Sequence, residues 1–410
     1  MGNQIMTLRM GQKFKKTPAG EIPVDWESVA LHDLGQIITG GTPSTKLAHL
    51  WDGQFMFVTP TDMGDSRDVR STQRHVSAGG LEVAGKIPKM SVMVTCIASI
   101  GKMALAAEDC CTNQQINSVV CNQRVIPEFL YYALRQRSRV LKGFAGQTAV
   151  PIINKSTFGT FVLPIPPVAE QHKIAQILSS MDDAIEKTKA VIKETAELKK
   201  ALVQKLFSLG ATNHKWTTST VGDCADINAE LLDEKTHPNA RFQYIDISSV
   251  EGPGLLTAPR QIVFQTAPSR ARRVVRAGDI LVSTVRPYLR AFAKVEFKIE
   301  SLIASTGFAV LSARPCVNRE FLYQYILSDP FVKYLEERMT GSNYPAVNAS
   351  DVSLCPIPLP LKAEQDKIAD ILSSTDAAIV RQTTEKTHLE SMKSALMQVL
   401  LTGEVRVKYA

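Results

Sequence analysis

The chain has 410 residues, of which 44% are hydrophobic and 21% charged, as in an ordinary folded protein and unlike a disordered one. This length predicts two or more domains. The seven cysteines form no C-x-x-C pair, and no signal-peptide core or apolar run of membrane-spanning length is present. We therefore expect a cytoplasmic protein without a structural zinc site or a membrane partner. The net charge is +7, and residues 260–298 carry nine Lys/Arg against two Asp/Glu, which favours a polyanionic partner.

The sequence of the first half of the chain predicts one α+β unit. Residues 1–16 suggest a loose basic arm, and turn residues then lead to Trp26. Short β-branched runs follow at 54–59, 91–97 and 116–120, separated by Gly/Pro/Asp turns. A helical stretch over 128–142 precedes a polar loop at 146–148.

The unit ends in a segment that the chain contains twice. Residues 164–185 (PIPPVAEQHKIAQILSSMDDAI) and 358–379 (PLPLKAEQDKIADILSSTDAAI) are identical at 15 of 22 positions, with a constant offset of 194. A repeat of this length indicates two copies of one structural unit.

Each copy opens a long predicted helix. Prolines suit the approach to a helix, apolar residues then recur at helical spacing, and no Gly or Pro intervenes before Gly210 and Gly403. Each helix should have roughly 35–40 residues, or ~55 Å. An apolar stripe of this length must pack against a partner, so we expect the two helices to pack together as an antiparallel coiled coil. The polar residues 381–388 weaken the stripe in mid-helix, so we expect a loosely packed section there. The predicted packing residues are Ile174, Ile177, Leu178, Met181, Ile185, Ile368, Ile371, Leu372 and Ile379.

After Gly210 the same order of blocks restarts. Trp216 corresponds to Trp26, 244–250 to 57–63, 281–287 to 92–98, 320–323 to 128–131, and Pro345…Asn348 to Pro151…Asn154. The residues between the blocks differ, which indicates one scaffold with two different surfaces. The predicted fold class is therefore α+β with a pseudo-two-fold internal repeat. Its segments are a first globular domain (1–163), a central helix (164–210), a second globular domain (211–357) and a C-terminal helix (358–410).

From end to end the chain resembles the specificity (S) subunit of type I restriction-modification systems. The resemblance is carried by GEIPVDWE (20–27), GGTPSTKLAHLWDGQFMFVTPTDM (40–63), TNQQIN (112–117) and the two P-x-P-x-x-A-E-Q-x-K-I-A-x-I-L blocks. It implies two target-recognition domains that each read half of a split double-stranded DNA sequence, held apart by the paired helices. The second domain lacks the GGTPS segment and has residues 227–243 in its place, so contacts cannot be transferred between the domains.

The resemblance also implies partners. Two methyltransferase (M) subunits would dock on the helices, joined by endonuclease/translocase (R) subunits. S-adenosylmethionine, ATP and Mg²⁺ would belong to those partners, and this chain would be non-catalytic. The assembled complex would be a DNA adenine methyltransferase and an ATP-dependent endonuclease.

Candidate DNA contacts come from basic and polar residues near predicted loops, since side chains at base edges read sequence and phosphate contacts fix register. The amides at 114, 115 and 117 could read adenine, but we expect them to be buried and bonded to backbone. Candidates in the first domain are Thr42, Ser44, Lys46, Arg67, Arg70, Arg74, Lys102 and Gln147. Candidates in the second are Arg270, Arg272, Arg273, Arg276, Arg286, Tyr288, Arg290, Asn343 and Tyr344.

Two other classes of function stay open at this stage. One is a DNA-acting nuclease or methyltransferase with duplicated lobes, although phosphate-loop, D-P-P-Y-like, H-E-x-x-H and G-x-S-x-G motifs are absent. The other is a coiled-coil adaptor that binds protein only. The favoured hypothesis is geometric: a strut of ~55 Å can hold two readers about one ~34 Å turn of DNA apart.

Overall fold

The protein is described by a computed structural model that covers residues 6–8, 13–146, 150–212, 216–233, 235–296 and 298–407. The chain divides into two compact units, Met1–Ala190 with Thr383–Ala410 (unit 1) and Val191–Gln382 (unit 2). Each unit thus combines one globular part with one half of each of two long helices.

Unit 1 builds its globular part on a five-stranded sheet of order β5-β12-β9-β10-β7 and a three-stranded sheet of order β11-β6-β8. Its main core surrounds buried aromatic residues that include Trp26, Phe129 and Phe158. Its strands are β1 (Met6–Leu8), β2 (Phe14–Thr17), β3 (Gly20–Pro23), β4 (Glu27–Ala30), β5 (Gly35–Thr39), β6 (Trp51–Val58), β7 (Asp68–Val69), β8 (Arg74–Val76), β9 (Val92–Thr95), β10 (Met103–Ala106), β11 (Cys110–Thr112), β12 (Ile116–Cys121), β13 (Val162–Ile165) and β26 (Val405–Val407). Its short helices are α1 (Leu31–Leu34), α2 (Ala78–Ala84), α3 (Pro127–Gln136), α4 (Ser138–Lys142) and α5 (Lys155–Gly159).

Unit 2 repeats this plan with sheets of order β15-β24-β21-β22 and β19-β16-β23-β20. Its main core surrounds Phe207, Phe292, Phe321 and Phe331. Its strands are β14 (Thr217–Thr220), β15 (Ala225–Ile227), β16 (Arg241–Ile245), β17 (Val250–Gly252), β18 (Leu255–Leu256), β19 (Arg260–Val263), β20 (Ala271–Val275), β21 (Ile280–Ser283), β22 (Phe292–Lys294), β23 (Leu302–Ser305), β24 (Phe308–Ala313) and β25 (Pro356–Leu359). Its short helices are α7 (Val221–Cys224), α8 (Arg319–Ile326), α9 (Asp329–Glu336) and α10 (Ala349–Ser353).

The two long helices are α6 (Val168–Thr212, 45 residues) and α11 (Lys362–Leu400, 39 residues), or ~68 Å and ~58 Å at 1.5 Å per residue. Helix α6 exceeds the predicted length because it continues through Gly210. Helix α11 is continuous through 381–388, but none of its side chains there is buried, which agrees with the expected weakening of the apolar stripe. The predicted α+β fold with two long helices and an internal repeat is confirmed.

The repeated A-E-Q tripeptide ties each helix to its globular part. Glu170 accepts a hydrogen bond from the Trp26 indole at 3.2 Å, and Glu364 accepts the equivalent bond from Trp216 at 3.1 Å. Gln171 and Gln365 each donate to a proline carbonyl five residues earlier, Pro166 and Pro360, at 2.9 Å. The repeat therefore preserves a specific helix-to-domain joint.

A second equivalent pair of contacts joins the helices within each unit. In unit 1 Lys393 donates to Asp182 at 2.5 Å, and in unit 2 Lys199 donates to Asp376 at 2.6 Å. The 194-residue offset relates the two lysines and also the two aspartates. Each contact joins a residue of α6 to one of α11, and unit 1 also packs the start of α6 (Ile174) in one core with the end of α11 (Leu400). In unit 2 the core likewise joins the C-terminal part of α6 (Phe207) with the start of α11 (Ile368), so the helix halves are antiparallel within each unit.

Most of the predicted packing residues face these cores. Ile174, Leu178, Ile185, Ile368 and Leu372 are buried, and Ile177, Met181 and Ile379 are half-buried. Ile371, however, is 50% exposed, so its assignment to the packed face is wrong. The buried face of α11 is centred on Ile368, Ala369 and Leu372, and at 3.6 residues per turn Ile371 lies about 100° from that centre.

The expectation of a loose N-terminal arm is also wrong where the structure describes it. Residues Met6–Leu8 form β1, which pairs antiparallel with β26 near the C-terminus, and Phe14–Thr17 form a hairpin strand with β3. Within β26, Arg406 donates to Asp25 and to the buried Glu170. Across the described ranges, no helix is both long and apolar enough to cross a membrane.

Candidate nucleic-acid interface

One end of the five-stranded sheet in unit 1 gathers several of the predicted contact residues. The end of β5 lies opposite the start of β12 (Thr39 with Asn117), and the end of β9 lies opposite the start of β10. The loops at 40–47, 96–102 and 113–115 therefore share one edge, which we call the unit 1 edge. It includes Thr42, Ser44, Lys46 and Lys102.

The equivalent end of unit 2 gathers the corresponding loops. Ser283 at the end of β21 pairs with Phe308 at the start of β24, and the backbone N–H of Thr306 donates to the carbonyl of Arg270 at 2.7 Å. The segment 340–346 joins the same end through a bridge between Val285 and Ala346. The unit 2 edge therefore consists of residues 269–270, 284–290, 306–307 and 340–346.

A left-handed bend is common to both edges. Ala98 in unit 1 has φ 59° and Arg286 in unit 2 has φ 49°, and their N–H groups donate to Pro151 and Pro345 at 3.0 and 2.8 Å. These bonds align 281–287 with 93–99. The sequence-based match to 92–98 is therefore displaced by one residue, because the shared bend, and not side-chain similarity, defines the equivalence.

Arginine and tyrosine side chains meet on the unit 2 edge. The Arg286 guanidinium lies 4.7 Å from the centre of the Tyr344 ring, and its Nη2 donates to the Asn343 carbonyl at 3.1 Å. Tyr344 is 71% exposed, and Tyr288 and Leu289 of the same edge are also exposed. Exposed aromatic rings with an adjoining guanidinium are suited to contact with nucleic acid.

The six arginines of 270–290 do not form one patch. Arg270 precedes β20 and Arg276 follows it, and six steps along a strand separate them by ~20 Å. Arg276 pairs with Glu230 at 2.5 Å, and Arg290 pairs with Asp329. Arg270 is exposed, and its side chain has no bonded partner among the residues that the structure describes.

Arg272 and Arg273 are partly engaged in the fold of unit 2. Arg272 lies 5.2 Å from the centre of the Phe264 ring and donates to the carbonyl of Ala271. Burial lowers the pKa of Arg273, and its Nε is buried without a partner in the described part of the chain. Of the basic candidates in unit 2, Arg270 and Arg286 thus lie on the edge without a carboxylate partner.

The exposed polar groups of the unit 1 edge include the Thr42 hydroxyl and the Gln114 amide. Thr42 Oγ1 donates to Gln114 Oε1 at 2.7 Å, and the Trp51 indole donates to the Ser44 carbonyl at 3.1 Å. The loop backbone passes close to Thr112 at Gly40, where a glycine is needed because a Cβ would lie 2.1 Å from Thr112 Oγ1. Lys46 extends from the same loop into solvent.

The remaining basic candidates of unit 1 already have partners within the protein where the structure describes them. Arg67 donates twice to Asp68 at 3.1 Å, and this pairing keeps the Arg67 pKa above its usual value. Arg70 shares that carboxylate. Arg74 stacks 3.6 Å over Trp51. Lys102 donates to the Pro60 carbonyl at 3.0 Å. Gln147 lies outside the described residues.

Comparisons with known proteins agree with this duplicated architecture. The model of the type I restriction modification DNA specificity domain matches residues 23–197 and again 213–390. The chain belongs to this family. The MjaVIII specificity subunit of Methanocaldococcus jannaschii is 24% identical, covering 98% of this chain and 98% of its own. The HindI specificity subunit of Haemophilus influenzae is 34% identical over 46% of this chain and 42% of its own. The crystal structure of an S subunit from M. genitalium matches with TM-score 0.64 and 18% identity, covering 95% of this chain and 98% of that one.

Gln114 is the residue that sequence reasoning misjudged for such a specificity domain. Of the three amides expected to be buried, Asn117 is buried and accepts from Thr39 Oγ1, and Gln115 is half-buried beside Asn113. Gln114 is instead exposed, because it occupies the turn before β12. The consecutive polar residues at 112–115 were the available signal of a turn.

Proposed function

We propose that the chain is the DNA-recognition subunit of a type I restriction-modification complex, with one half-site of a split double-stranded sequence bound by each globular part. The supporting observation is one scaffold with two unlike edges. Thr42 and Gln114 occupy the edge in unit 1, whereas Arg286 and Tyr344 occupy it in unit 2. Equal scaffolds with different side chains suit two different half-sites.

Basic residues beside these groups would contact phosphate. Lys46 and Lys102 in unit 1 and Arg270 in unit 2 lie at the same edges as the base-reading candidates. Phosphate contacts fix the register of a protein on DNA, and base contacts supply the sequence preference.

The helix pair would serve as spacer and as the platform for two methyltransferase subunits. Leu198 and Met392 occupy equivalent positions on α6 and α11, and these apolar side chains are 58% and 52% exposed. Exposed apolar residues at equivalent positions would provide one docking position per methyltransferase.

Chemistry would belong to the partners. Methylation of adenine with S-adenosylmethionine would be carried out by the methyltransferase subunits, and ATP with Mg²⁺ would serve the endonuclease subunits. Within the described ranges, no group of three or more His, Cys, Asp or Glu side chains is placed to hold a metal ion. The role of this chain would be recognition and assembly.

The first test is modified-base mapping of the native host with and without the gene. Loss of methylation at one split motif with a constant gap would support the proposal. Loss at a continuous motif would retain DNA recognition and refute the spacer. Methylation or metal-dependent cleavage by the purified chain alone would instead indicate an enzyme.

The spacer role has its own test. Inserting seven residues at equivalent points of α6 and α11 lengthens each helix by ~10.5 Å, or about three base pairs at ~3.4 Å each. The mapped motif should keep both half-sites and gain a longer gap. Changed half-sites with an unchanged gap would contradict the spacer role.

A further inference from the structure

The backbone of Arg286 adopts a conformation that non-glycine residues rarely occupy. The equivalent residue in unit 1 is Ala98, which has the same left-handed bend. The bend therefore belongs to the scaffold and does not need a long cationic side chain. An arginine at this position in unit 2 calls for another explanation.

The surroundings of the Arg286 side chain leave its charge uncompensated. Arg276 and Arg290 each pair with a carboxylate, whereas Arg286 contacts only a ring and a carbonyl among the described residues. The Tyr344 ring restrains the guanidinium on one side, and the Asn343 carbonyl accepts from Nη2. The Arg286 Nε is buried without a partner in the described part of the chain, so a ligand would meet the Nη1 and Nη2 end of the fork. A restrained, planar fork loses less entropy when it forms two parallel hydrogen bonds.

We propose that Arg286 reads a guanine in the second half-site, with Tyr344 as its positioning residue; this inference rests on the function proposed above. Guanine presents O6 and N7 as adjacent acceptors in the major groove, and an arginine fork matches both. Arg270 lies at the same edge and would contact the neighbouring phosphate. A lysine at position 286 would keep the charge but lose the two-point match.

The test is modified-base mapping of hosts that carry wild-type, R286K, R286A, Y344F or Y344A chains. R286K and R286A should relax one G·C position of one half-site, with discrimination falling about 5- to 150-fold, equivalent to ~1–3 kcal/mol. Y344A should relax the same position in part, whereas Y344F, which keeps the ring, should preserve it. R276A is the matched control, since its side chain pairs with Glu230 away from the edge.

The outcomes distinguish a failure of the proposed function from a failure of the guanine-reading role of Arg286. A wild-type chain without a split motif overturns the proposed function, and the inference with it. A split motif that stays unchanged in R286K overturns the inference alone. A uniform loss of methylation in R286K, with no position relaxed, indicates a phosphate contact and also overturns it. So does relaxation at an A·T position.

A separate observation supports a second reader in unit 1. The Gln114 side chain is exposed, and its Oε1 accepts from Thr42 Oγ1, which fixes the orientation of the amide. Its Nε2 has no partner among the described residues. Adenine N6 and N7 form a donor and acceptor pair that a glutamine amide can match. We infer that Gln114 reads an adenine in the first half-site, with Thr42 as its positioning residue.

The same mapping tests this inference through Q114L, T42V and T42S. Q114L should relax one A·T position of the first half-site and leave the second half-site unchanged. T42V should partly relax the preference at the same position. T42S, which keeps the hydroxyl, should retain the wild-type preference. An unchanged motif in Q114L, or equal effects of T42V and T42S, would overturn the inference.

Discussion

The buried ion pair between Lys393 and Asp182 allows a quantitative test of how the helix halves are joined in unit 1. The two side chains are 9% and 12% exposed, and Asp182 also accepts from the Tyr132 hydroxyl at 2.6 Å. Replacing Lys393 with Met removes one charge and leaves the other buried. Such a loss typically costs ~3–5 kcal/mol. For a unit of this size it should lower the midpoint of thermal unfolding by ~6–20 °C.

The equivalent pair in unit 2 provides the matched control. Lys199 and Asp376 are 17% and 37% exposed, so water can compensate a carboxylate that has lost its partner. K199M should therefore cost only ~1–3 kcal/mol, as for the loss of a hydrogen bond to a charged group. The difference in cost follows from burial, because the chemistry of the two pairs is the same.

Replacing the whole cluster should recover the stability lost in K393M. Burial lowers the pKa of Lys393, so its charged form is held in the fold at a cost. The triple variant D182L/Y132F/K393M removes the carboxylate, the phenol and the ammonium together, so neither charge of the pair is left buried without its partner. Buried pairs replaced by apolar residues are often neutral or stabilising.

Differential scanning calorimetry of the full chain, with hydrogen exchange along α6, would measure these effects. K393M should destabilise residues near 182 and leave those near 199 protected. Equal losses in K393M and K199M, or a loss below about 1 kcal/mol in K393M, would refute the reasoning from burial.

Three further predictions concern single side chains. Hydrogen bonding to Arg406 lowers the pKa of Asp25 below 3.8. The stability that this bond adds is therefore present above pH 3.8 and is lost as the pH falls through the folded-state pKa. In an acid titration, R406A should lose less stability over this range than wild type. Cys316 is exposed and the other six cysteines are buried or half-buried, so a thiol reagent should modify one cysteine rapidly in the native chain and seven after unfolding. R270A should reduce the salt dependence of DNA binding by about one charge, whereas R276A should leave it unchanged; equal slopes would contradict the edge assignment.

The internal repeat and both long helices could be predicted from the sequence because they depend on local pattern. Helical spacing of apolar residues specifies a helix wherever it lies, and a 194-residue offset relates equivalent residues without coordinates. Even the glutamates and glutamines of the repeated tripeptide could be recognised as equivalent. The hydrogen bonds from Trp26 and Trp216 to these glutamates could not be predicted, because they connect residues 144 and 148 positions apart.

The composition of the recognition surfaces was decided by the tertiary structure. Arg270 and Arg276 are neighbours in sequence, yet the strand between them carries them to opposite ends of the sheet. Arg286 and Tyr344 are far apart in sequence, yet a bridge between their loops brings them into contact. Gln114 belongs to a run of amides whose exposure depends on where β12 begins. Sequence patterns specify which residues are available, and strand register decides which of them share an edge, because register depends on hydrogen bonds between distant parts of the chain.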